Sequence, residues 1–461
     1  MSRLFGTDGV RGVANTELTP ELAFAVGRAG AMVLAHTSDR HRPIIVGRDT
    51  RLSGTMLEAA IIAGITSVGR DAVSVGIVPT PAVATITVRT GAAAGVMISA
   101  SHNPIADNGI KFFGPDGFKL SDAIENEIEA LIETREVPRP TGTEIGVASV
   151  AQNLGKHYYD ELYDRAEDLH SLTIVVDGAF GAAYAHAPYA FRKLGATVHE
   201  INCENDGARI NVNCGATDLR PLQERVRELI AAGERKVIGV AFDGDADRAL
   251  FVDETGATLS GDHIMLVLAR DLHDRGELAG DTVVATVMSN IGLEKALSNH
   301  GIDLLRAPVG DRYVLERMRE GGYVLGGEQS GHIINLQNNT TGDGPMTAIA
   351  VFSTVVRRKK TLHELASELT VYPQVLVNVK TARKEVLQAP EIQQAVEEVE
   401  KNLTGTGRLL IRPSGTEPLI RVMVEGDNQQ RIEELAHGLA DRIRQAASVS
   451  QGAADHVGYP S

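Results

Sequence analysis

The chain has 461 residues, 43% hydrophobic and 23% charged, a balance that fits about three globular domains and excludes a disordered chain. Its 60 acidic and 45 basic side chains leave a net charge of −15, which argues against non-specific binding to nucleic acid or anionic membranes. Its 2 cysteines, Cys203 and Cys214, exclude a disulfide framework and fit a reducing compartment.

The start shows no basic segment followed by an apolar one, so it does not read as a secretory signal. No apolar run approaches the roughly 20 residues needed to span a bilayer. The expectation is a soluble, cytoplasmic protein. Its 47 glycines exceed the usual ~7% and point to many tight loops.

In chain order, residues 43–47, 72–78 and 94–99 read as short buried strands, with a covering helix over 57–68 and another opening at Ser121. Residues 136–143, with Pro138, Pro140 and Gly142, read as a linker. A second cycle has strands at 172–177, 196–201 and 236–242, and helices at 179–194 and 222–232. A third has strands at 281–288, 303–307 and 322–326 around a helix at 292–299. The last runs strand 374–379, helix 389–401, strands 408–411 and 419–425, and helix 429–446. Two strands adjacent in sequence there indicate an antiparallel α+β unit. The expected domains are 1–150, 151–252, 253–368 and 369–447, with 448–461 a disordered tail. The fold class is α/β: three similar mixed-sheet units and a smaller C-terminal α+β unit.

Four loops carry chemistry. Ile98-Ser-Ala-Ser-His-Asn-Pro104 follows an apolar strand, the place where α/β sheets gather ligands, and offers the Ser101 hydroxyl beside His102. Asp243-Gly-Asp-Ala-Asp247-Arg248 ends another strand. Three carboxylates so close repel unless a cation joins them, and hard oxygen ligands favour Mg²⁺. The spacing of Asp243, Asp245, Asp247 and Glu254 imitates an EF-hand, but Arg248 stands where that loop needs glycine. An aspartyl-phosphate phosphatase competes for the same cluster, yet leaves Ser101 and His102 without a role.

The third loop, Gly326-Gly-Glu-Gln-Ser-Gly-His332, puts Glu328, Ser330 and His332 where they suit sugar hydroxyls; alone it fits an exposed hairpin as well. The fourth, Arg412-Pro-Ser-Gly-Thr-Glu-Pro418 with Arg421, makes a phosphate cradle or a plain turn with exposed charges. The glycine-rich turn Gly6-Thr-Asp-Gly-Val-Arg-Gly12 adds the cation Arg11 and matches no dinucleotide fingerprint.

In this order the loops resemble the α-D-phosphohexomutase family over residues 1–446, and within it the bacterial members that act on glucosamine phosphates. Phe5-Gly-Thr-Asp-Gly-Val-Arg-Gly12, Ile98-Ser-Ala-Ser-His-Asn-Pro104, Gly327-Glu-Gln-Ser-Gly-His332 and the segment from Arg412 to Arg421 carry the resemblance. Ala246 departs from it, standing where many relatives have glycine, but leaves all three carboxylates in place.

The resemblance implies a heart-shaped chain whose fourth domain is like the TATA-binding protein. It implies a phosphorylated Ser101, and Mg²⁺ held by Asp243, Asp245, Asp247 and the phosphoserine. Arg11, His102, Lys111 and Arg248 would surround the transferred group, with Lys111 a candidate acid–base group. Glu328 and Ser330 would take the sugar hydroxyls, and Arg412, Ser414, Gly415, Thr416 and Arg421 the non-reacting phosphate. The reaction implied is exchange of glucosamine 6-phosphate and glucosamine 1-phosphate through a sugar 1,6-bisphosphate, in a monomer or homodimer, with the fourth domain closing on the site. Members acting on glucose or mannose phosphates, or a catalytically silent sugar-phosphate-binding protein, are the alternatives. The partner is a small phosphosugar, with no nucleic acid and no membrane.

Overall fold

Near-continuous apolar runs become the central strands of parallel sheets, because such strands are covered on both faces. A computed structural model describes residues 3–6, 8–34, 42–134, 137–414 and 418–449. Gly415, Thr416, residue 136 of the expected linker and the expected tail from 450 onward lie outside the described residues. The chain divides into two compact units, Met1–Met288 with Leu297–Glu368, and Ser289–Ala296 with Leu369–Ser461.

The first unit holds three mixed sheets. The N-terminal one has six strands: β1 (Val10–Val13), β2 (Ile44–Arg48), β3 (Ala72–Ile77), β4 (Ala94–Ile98), β5 (Asp107–Phe113) and β6 (Ala148–Val150). They lie in the order β1-β5-β4-β2-β3-β6, with β2 parallel to β3 and β4, and β5 antiparallel to β4 and β1. Every residue of β4 is buried. Helix Thr80–Thr90 was not expected: its sequence is rich in β-branched residues, but Pro81 starts it, and its residues 80–87 are buried.

The second sheet joins β7 (Thr173–Asp177), β8 (Thr197–Ile201), β9 (Val237–Phe242), β10 (Ala249–Val252) and β11 (Thr258–Leu259) in the order β11-β10-β9-β7-β8. Helix Arg220–Ala231 covers it through Leu222, Val226 and Leu229. The helix expected at 179–194 forms only over His186–Lys193. Ala179 and Phe180 take left-handed φ angles of 53° and 51°, and Ala182 N–H bonds to the Gly244 carbonyl. The first half of the expected helix is instead a loop wrapped on the aspartate-rich turn.

The third sheet, β13-β12-β14-β15, uses β12 (Thr282–Thr286), β13 (Asp303–Ala307), β14 (Leu325–Gly327) and β15 (Ile333–Asn335). Across the three sheets, the carboxyl ends of β4, β9 and β14 carry the loops with Ser101, Asp243 and Glu328.

The C-terminal unit has an antiparallel sheet, β16 (Gln374–Lys380), β17 (Gly407–Pro413) and β18 (Leu419–Gly426), with β18 central. Helices Pro390–Leu403 and Gln429–Val449 pack on its apolar face through Ile392, Val399, Ile432 and Leu439. Residues 289–296, grouped in sequence with the third cycle, belong to this unit. The Asn290 amide donates to the Tyr372 carbonyl (2.9 Å) and to buried Glu425 (3.2 Å), and Arg408 donates to the Ser289 carbonyl (2.7 Å). Among the described residues no helix is long and apolar enough to cross a membrane.

Candidate active site

Ser101 stands three residues after β4 ends at Ile98, and its backbone is left-handed, φ 51°, although it is not glycine. It is 2% exposed. The hydroxyl donates to Asp243 Oδ2 at 2.6 Å, and His102 Nδ1 lies 3.4 Å from Ser101 Oγ. Burial, then Arg248 and Arg11, pull the His102 imidazole down to about 4, so it is neutral at physiological pH.

Asp243, Asp245 and Asp247 follow β9 and are all buried, with one carboxylate oxygen of each within 4.8 Å of the others. Ala246 adopts φ 56° within this turn, a left-handed geometry that glycine takes more cheaply. Burial and the like charges of Asp247 and Asp245 push the Asp243 carboxyl well above the ordinary carboxylate range. Three further groups order the cluster. Thr80 Oγ1 donates to Asp245 Oδ2 at 2.6 Å, Lys111 Nζ reaches the same oxygen at 2.9 Å, and His332 Nδ1 lies 3.5 Å from Asp247 Oδ2.

These contacts draw the Oδ2 atoms of Asp245 and Asp247 aside. Both Oδ1 atoms stay buried and accept no hydrogen bond. Two unsatisfied carboxylate oxygens beside a third carboxylate fit a hard divalent cation, whose charge offsets the desolvation that otherwise makes such atoms costly.

Cations line the remaining side. Lys111 is 2% exposed and also meets Asp8 Oδ2 at 3.0 Å and Asp247 Oδ2 at 3.7 Å. Burial alone would lower its pKa, but Asp245, Asp8 and Asp247 outweigh it and raise it, so the ammonium is locked in its charged form. That state suits charge neutralisation rather than proton abstraction. Arg11 pairs with Asp8 and reaches Asn103 Oδ1 at 3.3 Å, and the Arg248 backbone N–H donates to Asp243 Oδ1 at 3.2 Å.

The Glu328 loop meets the aspartate turn directly: Ala249 N–H donates to the Gly331 carbonyl at 3.1 Å. Ser330 donates to Glu328 Oε2 at 3.2 Å, and both side chains are half-buried. His332, singled out with Glu328 and Ser330, is only 3% exposed and sits between Asp247 and Asp311. Burial opposes its protonation, yet these two carboxylates raise it to about 9.

The structure therefore assembles Arg11, Ser101, His102, Lys111, Arg248 and the three aspartates, with Glu328 and Ser330 on the adjoining loop. Arg412, Ser414 and Arg421 belong to the C-terminal unit, where Arg412 and Arg421 stand opposite each other across β17 and β18. Burial and then the Arg421 charge lower the Arg412 pKa, a like-charge pair that an anion would relieve. Sequence reasoning passed over Asp8, Thr80 and Lys119, and singled out Asp311 without assigning its contacts. Asp8 lay within a glycine-rich turn already singled out. Lys119, which bonds Asp8 at 2.6 Å and also pairs with Asp311, gave no local signal.

Sequence profiles of phosphoglucomutase/phosphomannomutase match along the chain: alpha/beta/alpha domain I at residues 2–139, domain II at 156–256, domain III at 260–372 and the C-terminal domain at 376–442. The phosphoglucosamine mutase of Caldanaerobacter subterraneus subsp. tengcongensis is 54% identical over 449 residues, covering 96% of this chain and 99% of that one. The protein of the same name from Macrococcus caseolyticus is 50% identical over 448 residues, with 96% and 99% covered. A crystal structure of a phosphoglucomutase/phosphomannomutase family protein from Burkholderia thailandensis superposes with a TM-score of 0.80 at 23% identity, covering 97% of this chain and 98% of that one. With every domain profile matched in order and relatives half identical from end to end, the chain belongs to the phosphoglucomutase/phosphomannomutase family.

Proposed function

We propose that the chain interconverts glucosamine 6-phosphate and glucosamine 1-phosphate, the activity of a phosphoglucosamine mutase. One observation carries the chemistry: the Ser101 hydroxyl is buried 2.6 Å from Asp243, at the edge of a carboxylate triad with two unsatisfied oxygens. The sugar rests on relatives at 50–54% identity over almost the whole chain that bear that name.

In the working enzyme Ser101 carries a phosphoryl group. Its hydroxyl proton is then gone, and the hydrogen bond that engages Asp243 Oδ2 goes with it. Asp243, Asp245 and Asp247 would hold Mg²⁺, which supplies positive charge to the phosphoryl oxygens and lowers the barrier to their transfer. Arg11, Lys111 and Arg248 add fixed positive charge on the open side. Glu328 and Ser330 orient the sugar through its hydroxyls, and Arg412, Ser414, Gly415, Thr416 and Arg421 bind the phosphate that is not reacting.

In the first half-reaction the sugar's free O1 attacks phosphorus, the P–O bond to Ser101 Oγ breaks, and the O1 proton passes through neutral His102 to the leaving Oγ. The product is glucosamine 1,6-bisphosphate and a free serine. The bisphosphate turns over, Ser101 Oγ gives its proton to His102 and attacks the 6-phosphate, and O6 leaves with that proton. Glucosamine 1-phosphate departs and the phosphoserine is restored, so a sugar 1,6-bisphosphate serves as intermediate and activator. Two cysteines outside any disulfide accord with a reducing compartment, and we place this enzyme in the cytoplasm as a monomer or homodimer.

The test compares kcat/KM for glucosamine 6-phosphate, glucose 6-phosphate and mannose 6-phosphate, with Mg²⁺ and a sugar bisphosphate. Clear preference for the amino sugar is expected. Preference for glucose or mannose would keep the chemistry and overturn the substrate.

A further inference from the structure

Arg51 is 1% exposed. Its guanidinium uses all its donors inside the protein. Nη1 donates to the carbonyls of Pro104 (2.7 Å) and Asp107 (3.0 Å), Nη2 to those of Ser101 (2.9 Å) and Asn103 (2.8 Å), and Nε to Asp49 Oδ2 (3.1 Å). Four of those five bonds fall on one loop, the one that begins with Ser101. Asp49, which neutralises the charge, also accepts from Ser99 Oγ at 2.7 Å, and Ser99 Oγ accepts the Ser101 N–H at 2.9 Å. From the second sheet, Asn211 Nδ2 donates to the same Ser101 carbonyl at 2.8 Å. Both lone pairs of that carbonyl are therefore in use.

This density of bonds answers a specific need. Ser101 holds a left-handed backbone that a non-glycine residue keeps only where its surroundings overdetermine it. We infer that Arg51 is a positioning residue, and that its guanidinium, with the Asn211 amide, holds Ser101 in the backbone conformation that aims Oγ at Asp243. Only a planar fork with five donors spans these carbonyls; the three tetrahedral donors of lysine cannot. The inference rests on the reading above that Ser101 carries the transferred phosphoryl group.

The test is R51K, with N211A as a second variant that deletes one bond and no charge. Two readouts are followed: mutase kcat and KM, and the rate at which glucose 1,6-bisphosphate phosphorylates Ser101, by intact mass. In folded R51K both kcat and the phosphorylation rate should fall about 100-fold, the usual effect of a misplacement near 1 Å. KM and Mg²⁺ affinity should stay within about twofold, which loss of the fold would not allow. Low-millimolar guanidinium should partly restore the rate in R51A. N211A should lose about tenfold in kcat at unchanged KM. A folded R51K with wild-type kcat overturns the inference, as does N211A with wild-type kcat if R51K fails to fold. If wild-type protein takes phosphate onto Ser101 but does not convert glucosamine 6-phosphate, the substrate reading has failed, and the phosphorylation rate still decides the role of Arg51.

Discussion

Lys111→Met removes an ammonium buried against Asp245, Asp8 and Asp247 and replaces it with an unbranched apolar chain that can fill the space. At about 3 Å and an effective dielectric near 20, each of the two closest pairs is worth roughly 5 kcal/mol before desolvation. Breaking a buried pair from one side has a net cost of about 3–5 kcal/mol. The metal-free variant should be less stable by that amount. Lys111 also repels any cation that enters the triad, and a repulsion of only ~1.4 kcal/mol is tenfold in affinity. The variant should therefore bind Mg²⁺ about tenfold more tightly, and saturating Mg²⁺ should narrow the stability gap by about 1–2 kcal/mol. Urea unfolding of both proteins in EDTA and in excess Mg²⁺, with calorimetry for the metal, measures each quantity. An equal gap in the two conditions would refute the competition between lysine and metal for the same carboxylates.

Other expectations follow from single contacts. Ser101→Ala should abolish turnover while leaving the fold intact, since it removes only a hydroxyl that donates to Asp243; retained mutase activity would remove Ser101 as the carrier. Asp343, the N-cap of helix Gly344–Arg358, is pushed by burial to about 6, against hydrogen bonds from Tyr158, Met346 and Asn339. Its raised folded pKa means that its protonated form stabilises the fold below the unfolded value of 3.8, and that this contribution is lost as pH rises through 6. Asp343→Asn should therefore gain about 3 kcal/mol on the wild type between pH 4 and 7, and parallel stability profiles would contradict this. A Cβ on Gly207 would stand 1.9 Å from the Thr50 carbonyl, so Gly207→Ala should cost about 1–3 kcal/mol and lower kcat through the adjoining Arg51; a melting temperature equal to the wild type's would refute the close approach.

The reacting residues were legible because each sits where an apolar strand ends. Ser101 follows β4 and Asp243 follows β9, and a hydroxyl or carboxylate cluster at such a point has few structural reasons to be there. Arg51 and Asp49 were not legible. They also follow a strand, β2, but apart from each other the groups they bind lie 50 or more residues away, and no local pattern marks a charge as buried. Helix Thr80–Thr90 was hidden by its β-branched composition, which burial overrides. The helix expected from residue 179 failed for the opposite reason. Its alanine-rich start favours helix, and the bonds from residues 179–182 to Asp177, Asn202 and Gly244 win.

The placement of residues 289–296 bears on how the chain is made. A ribosome delivers Ser289 and Asn290 long before Tyr372, Arg408 and Glu425, the residues they join in the C-terminal unit. The early segment must therefore wait while the rest of the first unit, through Glu368, is synthesised behind it. Neither unit corresponds to one uninterrupted stretch, so part of the second unit is synthesised before the first is complete. A C-terminal fragment beginning at residue 369 would lack the Asn290 amide at its buried Glu425, and the smallest independently stable version of this unit should need the 289–296 segment grafted back.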